Sequence, residues 1–375
     1  MSEADRRVSW MSGPLHVALV ADFHPERLGA SWQRALVANH VKVSPFDIRD
    51  KQRALGLVLR NRIGHRLSIH SYSIRWLASR TYNRSIVDHV LRTGANVAVF
   101  HNGDFVFPET IERLKAAGIH CVLYHADNPL PPHANRPETL AVARAMDTYL
   151  VWSEKLVVDL KNAGVRGARF MPFGWDEVVF PYEPPPREVW PGVLFVGGWD
   201  REREEFLSKV GERVPLKIYG PSYWGTRTRR GSVARQRWMG SDLRGAAAAK
   251  LIRESSVSLN VLRNQHVIQG RPDGLIMRHF EVPGAGGYLL STRSGGATRL
   301  FPEGETGEYF SDTRECLEKT EEALATPGER AALAARAHQS VRANHTYVVR
   351  MAELVRYLES KPMPDTARPL EISGS

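Results

Sequence analysis

Short apolar runs alternate with amphipathic segments along most of the chain, and this alternation limits the possible folds more than any other feature. Runs such as "LHVALVADF" (15–23), "ANVAVFHNG" (95–103) and "HCVLYHADNP" (120–129) are each followed by a segment with helical periodicity. Strands that alternate with helices form βαβ units, whose strands are parallel. The sequence therefore predicts an α/β fold.

A proline-rich stretch interrupts the alternation once. "PYEPPPREVWPG" (181–192) has five prolines in twelve residues, which cannot continue a helix or a central strand. Immediately after it the pattern resumes with "VLFVGG" (193–198). We therefore expect two α/β halves of similar size, joined by this linker.

Composition narrows the class of protein. The 375 residues are 42% hydrophobic and 25% charged, which is typical of a globular chain with more than one core. No run of about 18 apolar residues exists, and the N-terminus lacks the pattern of a signal peptide. Cys121 and Cys316 fit neither a metal motif nor a disulfide pattern. These features favour a cytoplasmic protein.

The positive charge is unevenly distributed. The formal net charge is +10, and residues 51–84 contain eight lysines and arginines with no acidic residue. Such a stretch attracts anionic partners. Three interpretations stay open: a solvated helical face, contact with an anionic membrane or lipid-linked acceptor, and, less favoured, contact with nucleic acid.

One candidate site follows the first strand of the second half. Ligands of parallel sheets bind at the carboxyl ends of strands, and here Gly197 and Gly198 are followed by Arg201. Glycine allows a phosphate to approach the backbone closely, and arginine supplies a fixed positive charge. The alternative is an ordinary strand-to-helix turn with solvated charges.

A second candidate site lies in "RPDGLIMRHFEVPGAGGYLLST" (271–292). We expect a helix to begin after "RPDG", with Asp273 near its start and with Arg278 and Glu281 one turn apart. A carboxylate can accept hydrogen bonds from both hydroxyls of a ribose. We further expect Glu281 to be partly exposed and of little importance for stability. The alternative is a surface ion pair between Arg278 and Glu281.

Motifs in the same order along residues 15–358 give the chain a family resemblance. They include "YHADNP", "VLFVGGWDREREEFL", "MRHFEVPGAGGYLLST" and "HTYVVRMAELVRYL". In these the chain resembles the CgeB-type (spore-maturation) glycosyltransferases, relatives of the retaining family-4 enzymes. The resemblance implies the GT-B fold, in which two facing Rossmann-like domains flank an interdomain cleft and a C-terminal helix crosses back.

The resemblance also implies domain boundaries. It predicts an acceptor-side domain over 13–182 and a nucleotide-sugar domain over 187–340. The helix at 345–358 would pack back on the first domain. Residues 365–375 read as a disordered tail.

Roles for the donor-site residues follow from the resemblance. Family-4 enzymes have two acidic residues separated by seven others: the second binds the ribose and the first contacts the transferred sugar. Glu281 and Asp273 have this spacing, although Asp273 stands where those enzymes have glutamate. Arg201 would be the first phosphate ligand. Arg278 would replace a missing lysine, with support from the amides near Gly197 and Gly274.

The remaining predicted site residues are in the first half. His125 and Asp127 are both in "YHADNP". In similar enzymes a histidine near this point contacts the donor sugar, so the resemblance implies this role for His125. Asp127 could orient or deprotonate the acceptor hydroxyl. An alternative is a turn that Asp127 caps. Gly29, in the loop after the first strand, would close on the donor phosphates.

The predicted reaction is glycosyl transfer from a nucleoside diphosphate sugar, with no further cofactor. It would be metal-independent, since the chain lacks an Asp-x-Asp motif, and the resemblance implies retention of configuration. A dinucleotide oxidoreductase is disfavoured because "ADFHPERLGASW" (21–32) does not supply G-x-G-x-x-G. A non-catalytic scaffold that binds nucleotides, sugars or nucleic acid stays open. The acceptor is unassigned: a lipid-linked glycan, a polysaccharide, a protein, a nucleic acid or a small molecule.

Overall fold

The computed structural model describes residues 13–49, 72–131, 137–241 and 243–360. The chain divides into two compact units. The first contains the chain up to residue 171 together with residues from 348 onward, and the second contains residues 172–347. Most of the basic stretch, residues 51–71, and the tail at 365–375 lie outside the described residues.

The first unit is built on a six-stranded parallel sheet. Its strands are β1 (His16–Ala21), β2 (Lys42–Asp47), β3 (Val97–His101), β4 (His120–His125), β5 (Thr148–Val151) and β6 (Ala168–Phe170). They lie in the order β2-β1-β3-β4-β5-β6. All six residues of β1 are buried, as is typical of a parallel sheet covered on both faces.

Five helices lie between these strands in the described parts of the chain. They are α1 (Leu28–Ala38), α2 (Tyr72–Thr93), α3 (Pro108–Ala116), α4 (Pro137–Ala145) and α5 (Glu154–Asn162). Their boundaries have local causes. Pro108 opens α3, where a missing N–H costs nothing, and the Ser153 hydroxyl caps α5 by accepting a hydrogen bond from the Leu156 amide at 3.1 Å.

The second unit has its own six-stranded parallel sheet. Its strands are β7 (Trp190–Val196), β8 (Leu216–Tyr219), β9 (Trp238–Gly240), β10 (Ser255–Asn260), β13 (Leu289–Thr292) and β14 (Glu308–Phe310), and a small hairpin is formed by β11 (Val267–Ile268) and β12 (Arg271–Pro272). The order is β14-β13-β10-β7-β8-β9. Numbered within the unit, this is the 3-2-1-4-5-6 order of Rossmann sheets, read from the other edge.

Helices of the second unit pack around an apolar core that includes Val193, Phe195 and Leu259. They are α6 (Arg201–Arg213), α7 (Tyr223–Arg227), α8 (Val233–Gln236), α9 (Gly245–Arg253), α10 (Arg278–Gly284), α11 (Gly295–Leu300), α12 (Thr313–Ala325) and α13 (Pro327–Asn344), with a 3-10 turn at Asn264–His266.

The last helix, α14 (Tyr347–Glu359), belongs to the first unit from Val348 onward. The Asn39 side chain donates a hydrogen bond to the Val348 carbonyl at 3.0 Å. The Arg169 guanidinium lies 4.0 Å from the centre of the Tyr357 ring. The first unit is therefore assembled from both ends of the described chain.

The α/β class with parallel sheets is confirmed, and two local predictions are wrong. The helix expected after "RPDG" begins only at Arg278, so Asp273 precedes it by five residues. Gly29 lies in the first turn of α1 and not in a loop. None of the helices within the described ranges is long and apolar enough to cross a membrane.

Candidate functional site

The order of strands in the second unit reverses between β7 and β10, which are neighbours in the sheet. Ligands of open α/β sheets bind outside the carboxyl ends of the strands at such a point. The turn after β7 holds Gly197 and Gly198. A Cβ on Gly198 would lie 2.9 Å from the Tyr223 hydroxyl, so a larger residue there would require the tyrosine side chain to move.

Arg203 fixes this turn to the end of β10. Its Nε donates to the Val261 carbonyl at 2.9 Å, and its Nη1 donates to the Gly198 carbonyl at 2.9 Å. Burial lowers the pKa of this guanidinium to about 10, so it is still protonated at neutral pH. Arg203 is therefore a buried positive charge that holds the glycine turn in position beside the end of β10.

Arg263, just after β10, is the cation that the sequence analysis missed. Its side chain is 38% exposed, and its Nε donates to Asp200 Oδ2 at 3.3 Å. Its two terminal nitrogens lie 3.8 Å from the position that a Cβ on Gly198 would occupy. Asp200 also caps α6, because its Oδ1 accepts from the Arg203 amide at 2.8 Å. One indication of this residue was visible in the sequence, namely that an arginine follows a buried strand.

Arg278 approaches the same turn from α10. Its Nε donates to the Val196 carbonyl at 3.3 Å, and its Nη1 forms a very short ion pair with Glu281. Because Val196 ends β7, this contact places the Arg278 guanidinium at the glycine turn. Arg263 and Arg278 therefore approach one strand end from two different segments.

Glu281 is buried, with 5% of its surface exposed, which contradicts the expectation of a partly exposed carboxylate. Burial raises the pKa of Glu281, and the neighbouring Arg278 opposes that rise. Arg278 and Glu281 therefore act as one unit.

A buried polar network holds the first turn of α10 in place. The His279 Nε2 and the Ser291 hydroxyl lie 3.0 Å apart, and the Asn260 side chain donates to the same hydroxyl at 2.8 Å. Burial lowers the pKa of His279 to about 4, so its ring is neutral. The network ties α10 to the ends of β10 and β13.

Asp273 lies in the buried interior of the second unit. Its exposed fraction is 0%, and a Cβ on Gly295 would lie 3.0 Å from its Oδ1. Gly274 is also buried, and its carbonyl accepts a hydrogen bond from the Ser294 hydroxyl at 2.7 Å. Both residues pack against the start of α11.

Arg201, the predicted phosphate ligand, lies on the solvent side of α6. Its side chain is 84% exposed and pairs with Glu205 at 3.1 Å. Helical geometry explains the difference. Arg201 and Arg203 are two residues apart in α6, so their side chains point in different directions, and Arg203 is the one that faces the sheet. Gly197 lies in the glycine turn as predicted, with its amide donating to the Tyr219 carbonyl at 3.0 Å.

The first unit has a strained loop at its own point of strand reversal, between β1 and β3. Asn102, Gly103 and Phe105, directly after β3, all have positive φ angles, of 56°, 70° and 60°. Such angles cost free energy in residues other than glycine and cluster at functional sites. The Asn102 side chain accepts a hydrogen bond from the Ala126 amide at 2.9 Å, which links this loop to the end of β4.

His125 and Asp127 lie together at the end of β4. The His125 Nδ1 and the Asp127 carbonyl oxygen are 2.9 Å apart, while the Asp127 side chain is exposed. Burial lowers the pKa of His125, and Asp127 and Asp104 oppose that shift. A neutral, fixed histidine beside an exposed carboxylate can orient a hydroxyl and accept its proton.

Gly29 has a packing role. A Cβ at this position would lie 2.4 Å from the Asp22 carbonyl oxygen and 2.6 Å from the Ala21 side chain. The glycine therefore lets α1 approach the end of β1. Within the described part of the chain, no group of three histidine, cysteine, aspartate or glutamate side chains is arranged to hold a metal ion.

A family model described as glycosyl transferase-like matches residues 201–356. No curated protein matches the chain. Solved structures of similar fold include sucrose-phosphate synthase from Thermosynechococcus elongatus, with 14% identity, a TM-score of 0.61 and coverage of 92% of this chain and 99% of the other.

Two further structures extend the likeness. HepE of Anabaena in complex with UDP-glucose has 13% identity and a TM-score of 0.59, covering 92% of this chain and all of the other (100%). A glycosyltransferase from Rickettsia africae has 8% identity and a TM-score of 0.59, covering 93% and 100% of the two chains. The chain therefore has the GT-B fold, as predicted, and a glycosyl transferase-like domain covers its residues 201–356.

Proposed function

We propose that this protein is a glycosyltransferase of the CgeB type that uses a nucleoside diphosphate sugar as donor. One observation carries the proposal: Arg263 and Arg278 approach the Gly197–Gly198 turn at the point where the strand order of the second unit reverses. Two guanidinium groups beside an open backbone turn suit a diphosphate, which carries concentrated negative charge and many acceptor oxygens.

The residues of this cluster divide the binding of the donor between them. Arg263 and Arg278 bind the diphosphate and stabilise the charge that develops on it as the sugar leaves. Glu281 accepts hydrogen bonds from the ribose hydroxyls, with its ionised form maintained by Arg278. Arg263 thus replaces Arg201, whose side chain points away from the turn. The contacts of Gly274 with Ser294 and of Asp273 with Gly295, both at the start of α11, favour a structural role for Asp273 and Gly274.

In the first unit, we assign the handling of the acceptor to Asp127. Its exposed carboxylate can accept the proton of a sugar hydroxyl, and His125 holds the Asp127 backbone in position. The strained loop at 102–105 supports a functional role for this end of the sheet. Gly29 stays a packing residue in this proposal.

UDP is the proposed nucleotide, because HepE, which has the same fold, was solved with UDP and with UDP-glucose. Retention of configuration, independence from metal ions and a cytoplasmic location stay predictions. The second candidate function is a scaffold that binds nucleotides or sugars without catalysis. The buried pair of Arg278 and Glu281 would suit that function equally well, so turnover has to separate the two.

The test combines binding and turnover. Thermal unfolding would be measured with UDP, UDP-glucose, ADP, GDP and NAD, since a ligand at 100 times its Kd adds about 2.7 kcal/mol of stability. UDP release from UDP-glucose would then be followed with Mg²⁺ and with EDTA. We expect stabilisation by one nucleoside diphosphate and equal release in both buffers.

Other outcomes would each point elsewhere. Stabilisation without any release, across a panel of UDP-sugars, would favour the scaffold. Stabilisation by NAD alone would favour an oxidoreductase. Release only with Mg²⁺ would contradict metal independence while leaving the donor assignment intact.

A further inference from the structure

Helix α2 presents an apolar and basic surface at its N-terminal half. We define this surface as Ile74, Trp76, Leu77, Arg80 and Arg84, all of which are exposed. Ile74 is 38%, Trp76 36% and Leu77 65% exposed. The Arg80 guanidinium lies 5.8 Å from the centre of the Trp76 ring. Spacings of three, four and seven residues place these side chains on one side of the helix.

This clustering is unusual for the surface of the molecule. Single exposed apolar residues are normal, and elsewhere in the described ranges they are scattered. Here four large ones, counting Tyr72, fall within six residues. Contiguous exposed apolar groups beside charges of one sign mark interaction sites. The opposite face of the helix is buried, with Tyr82 and Ile86 in the core, so the exposed side chains are not needed for folding.

The charges identify the partner. Among exposed residues from Tyr72 to Arg84, the only ionised side chains are Arg80 and Arg84. Arg75 is buried in an ion pair with Glu138 and contributes nothing to the surface. On the N-terminal side the surface is bounded by Glu109, which accepts a hydrogen bond from the Tyr72 hydroxyl at 3.0 Å. The surface is thus positive and apolar together.

We propose that this surface docks the protein on an anionic lipid bilayer. Tryptophan and leucine beside arginine are the side chains of interfacial helices, which bury apolar groups at the boundary of headgroups and acyl chains. The sequence of residues 51–71, just before the helix, also carries five lysines and arginines and no acid, although these lie outside the surface defined here. The acidic headgroups of such a bilayer match this charge.

The test is sedimentation of the full-length protein with vesicles of phosphatidylcholine alone or mixed with phosphatidylglycerol, at low and high salt. We expect binding to the anionic vesicles, weakened by salt. The double variant Arg80→Gln/Arg84→Gln should bind about 25-fold more weakly, at about fivefold for each lost charge. Leu77→Ser should lower the affinity by about tenfold at either salt concentration.

Two matched controls lie on α5, a different helix of the first unit. Val158→Ser and Lys161→Gln change an exposed valine and an exposed lysine outside the surface, and both should bind within about twofold of the wild type. The vesicles contain neither donor nor acceptor, so the result is independent of glycosyl transfer.

Three results would overturn the proposal. The first is equal recovery of the wild-type protein in the supernatant with both vesicle types. The second is unchanged binding of both surface variants, which would place the lipid contact elsewhere. The third is a dimer in solution that Leu77→Ser dissociates, because the surface would then be covered by a second copy of the chain.

Discussion

Two arginines of the second unit show how context decides what a guanidinium can do. Arg201 is 84% exposed and pairs with a glutamate on its own helix, a contact worth well under about 1 kcal/mol. Arg263 has half that exposure and lies beside a glycine turn, with Asp200 orienting it. Because Asp200 already restricts the rotamer of Arg263, the side chain loses less conformational entropy when it binds a phosphate.

This difference makes a sharp prediction with a built-in control. Arg263→Ala should weaken binding of the nucleoside diphosphate by about tenfold to a hundredfold, the range for a hydrogen bond to a charged group. Arg201→Ala should leave the affinity unchanged. Isothermal titration of both variants with UDP measures the difference. Equal losses in the two variants would mean that Arg263 is not a phosphate ligand.

Glu281 gives a prediction about pH. Burial raises the pKa of this carboxyl in the folded protein, so the folded state binds the proton more tightly than the unfolded chain. Its contribution to the free energy of unfolding is therefore greatest below the pKa of the unfolded chain. That contribution decreases as pH rises through the folded pKa.

Glu281→Gln removes this titration while keeping the size of the side chain. The wild-type protein should lose stability relative to the variant as pH rises from the ordinary glutamate range upward. Urea unfolding at a series of pH values measures the difference. Parallel curves for the two proteins would show that the pKa of Glu281 is not raised. At every pH, the variant should bind UDP more weakly than the wild-type protein does.

At the scale of elements, helices α2 and α4 are joined by a buried ion pair. The Arg75 Nε donates to Glu138 Oε1 at 2.9 Å and its Nη2 donates to Oε2 at 2.7 Å, with side-chain exposures of 5% and 3%. Asn83 links α2 to the loop after β3, because its side chain donates to the Phe105 carbonyl at 2.8 Å. The strained loop at 102–105 is thereby supported by the helix that carries the apolar and basic surface.

Breaking the ion pair should be costly. Glu138→Ala leaves the Arg75 guanidinium buried without its carboxylate, and we expect a loss of about 3 to 5 kcal/mol in the free energy of unfolding. Glu318→Ala removes an exposed i,i+4 pair with Arg314 and should change stability by no more than about 0.5 kcal/mol. Chemical denaturation of both variants compares the two. A loss below about 1 kcal/mol for Glu138→Ala would contradict the burial of the pair.

Sequence patterns predicted the elements better than they predicted the site. Apolar periodicity identified the strands because parallel strands are buried on both faces and leave a strong signal. The site depends on which strands are neighbours: Arg203 reaches Val261, 58 residues away, only because β7 lies beside β10. Arg263 could not be selected without that order. The spacing of Asp273 and Glu281 suggested one helix, whereas the chain turns between them.

At the scale of the whole molecule, the chain forms two units of the same architecture with different strand orders. Each unit has a distinctive loop where its strand order reverses: the turn of Gly197 and Gly198 in the second and the positive φ angles of 102–105 in the first. The parallel sheets supply rigid supports, and the loops at their carboxyl ends supply the chemistry. This division explains why the periodicity of the sequence predicted the fold, whereas the residues of the candidate site could be identified only from the three-dimensional structure.

The first unit is built from two stretches of chain with the second unit between them, and this affects how the protein is made. Once residue 347 has been synthesised, the entire second unit is complete, while the first unit still lacks α14 and the ring of Tyr357 against Arg169. Domains usually complete in the order of translation. Here the first unit begins before the second and is completed after it, so a truncation that removes α14 would damage the unit that contains β1.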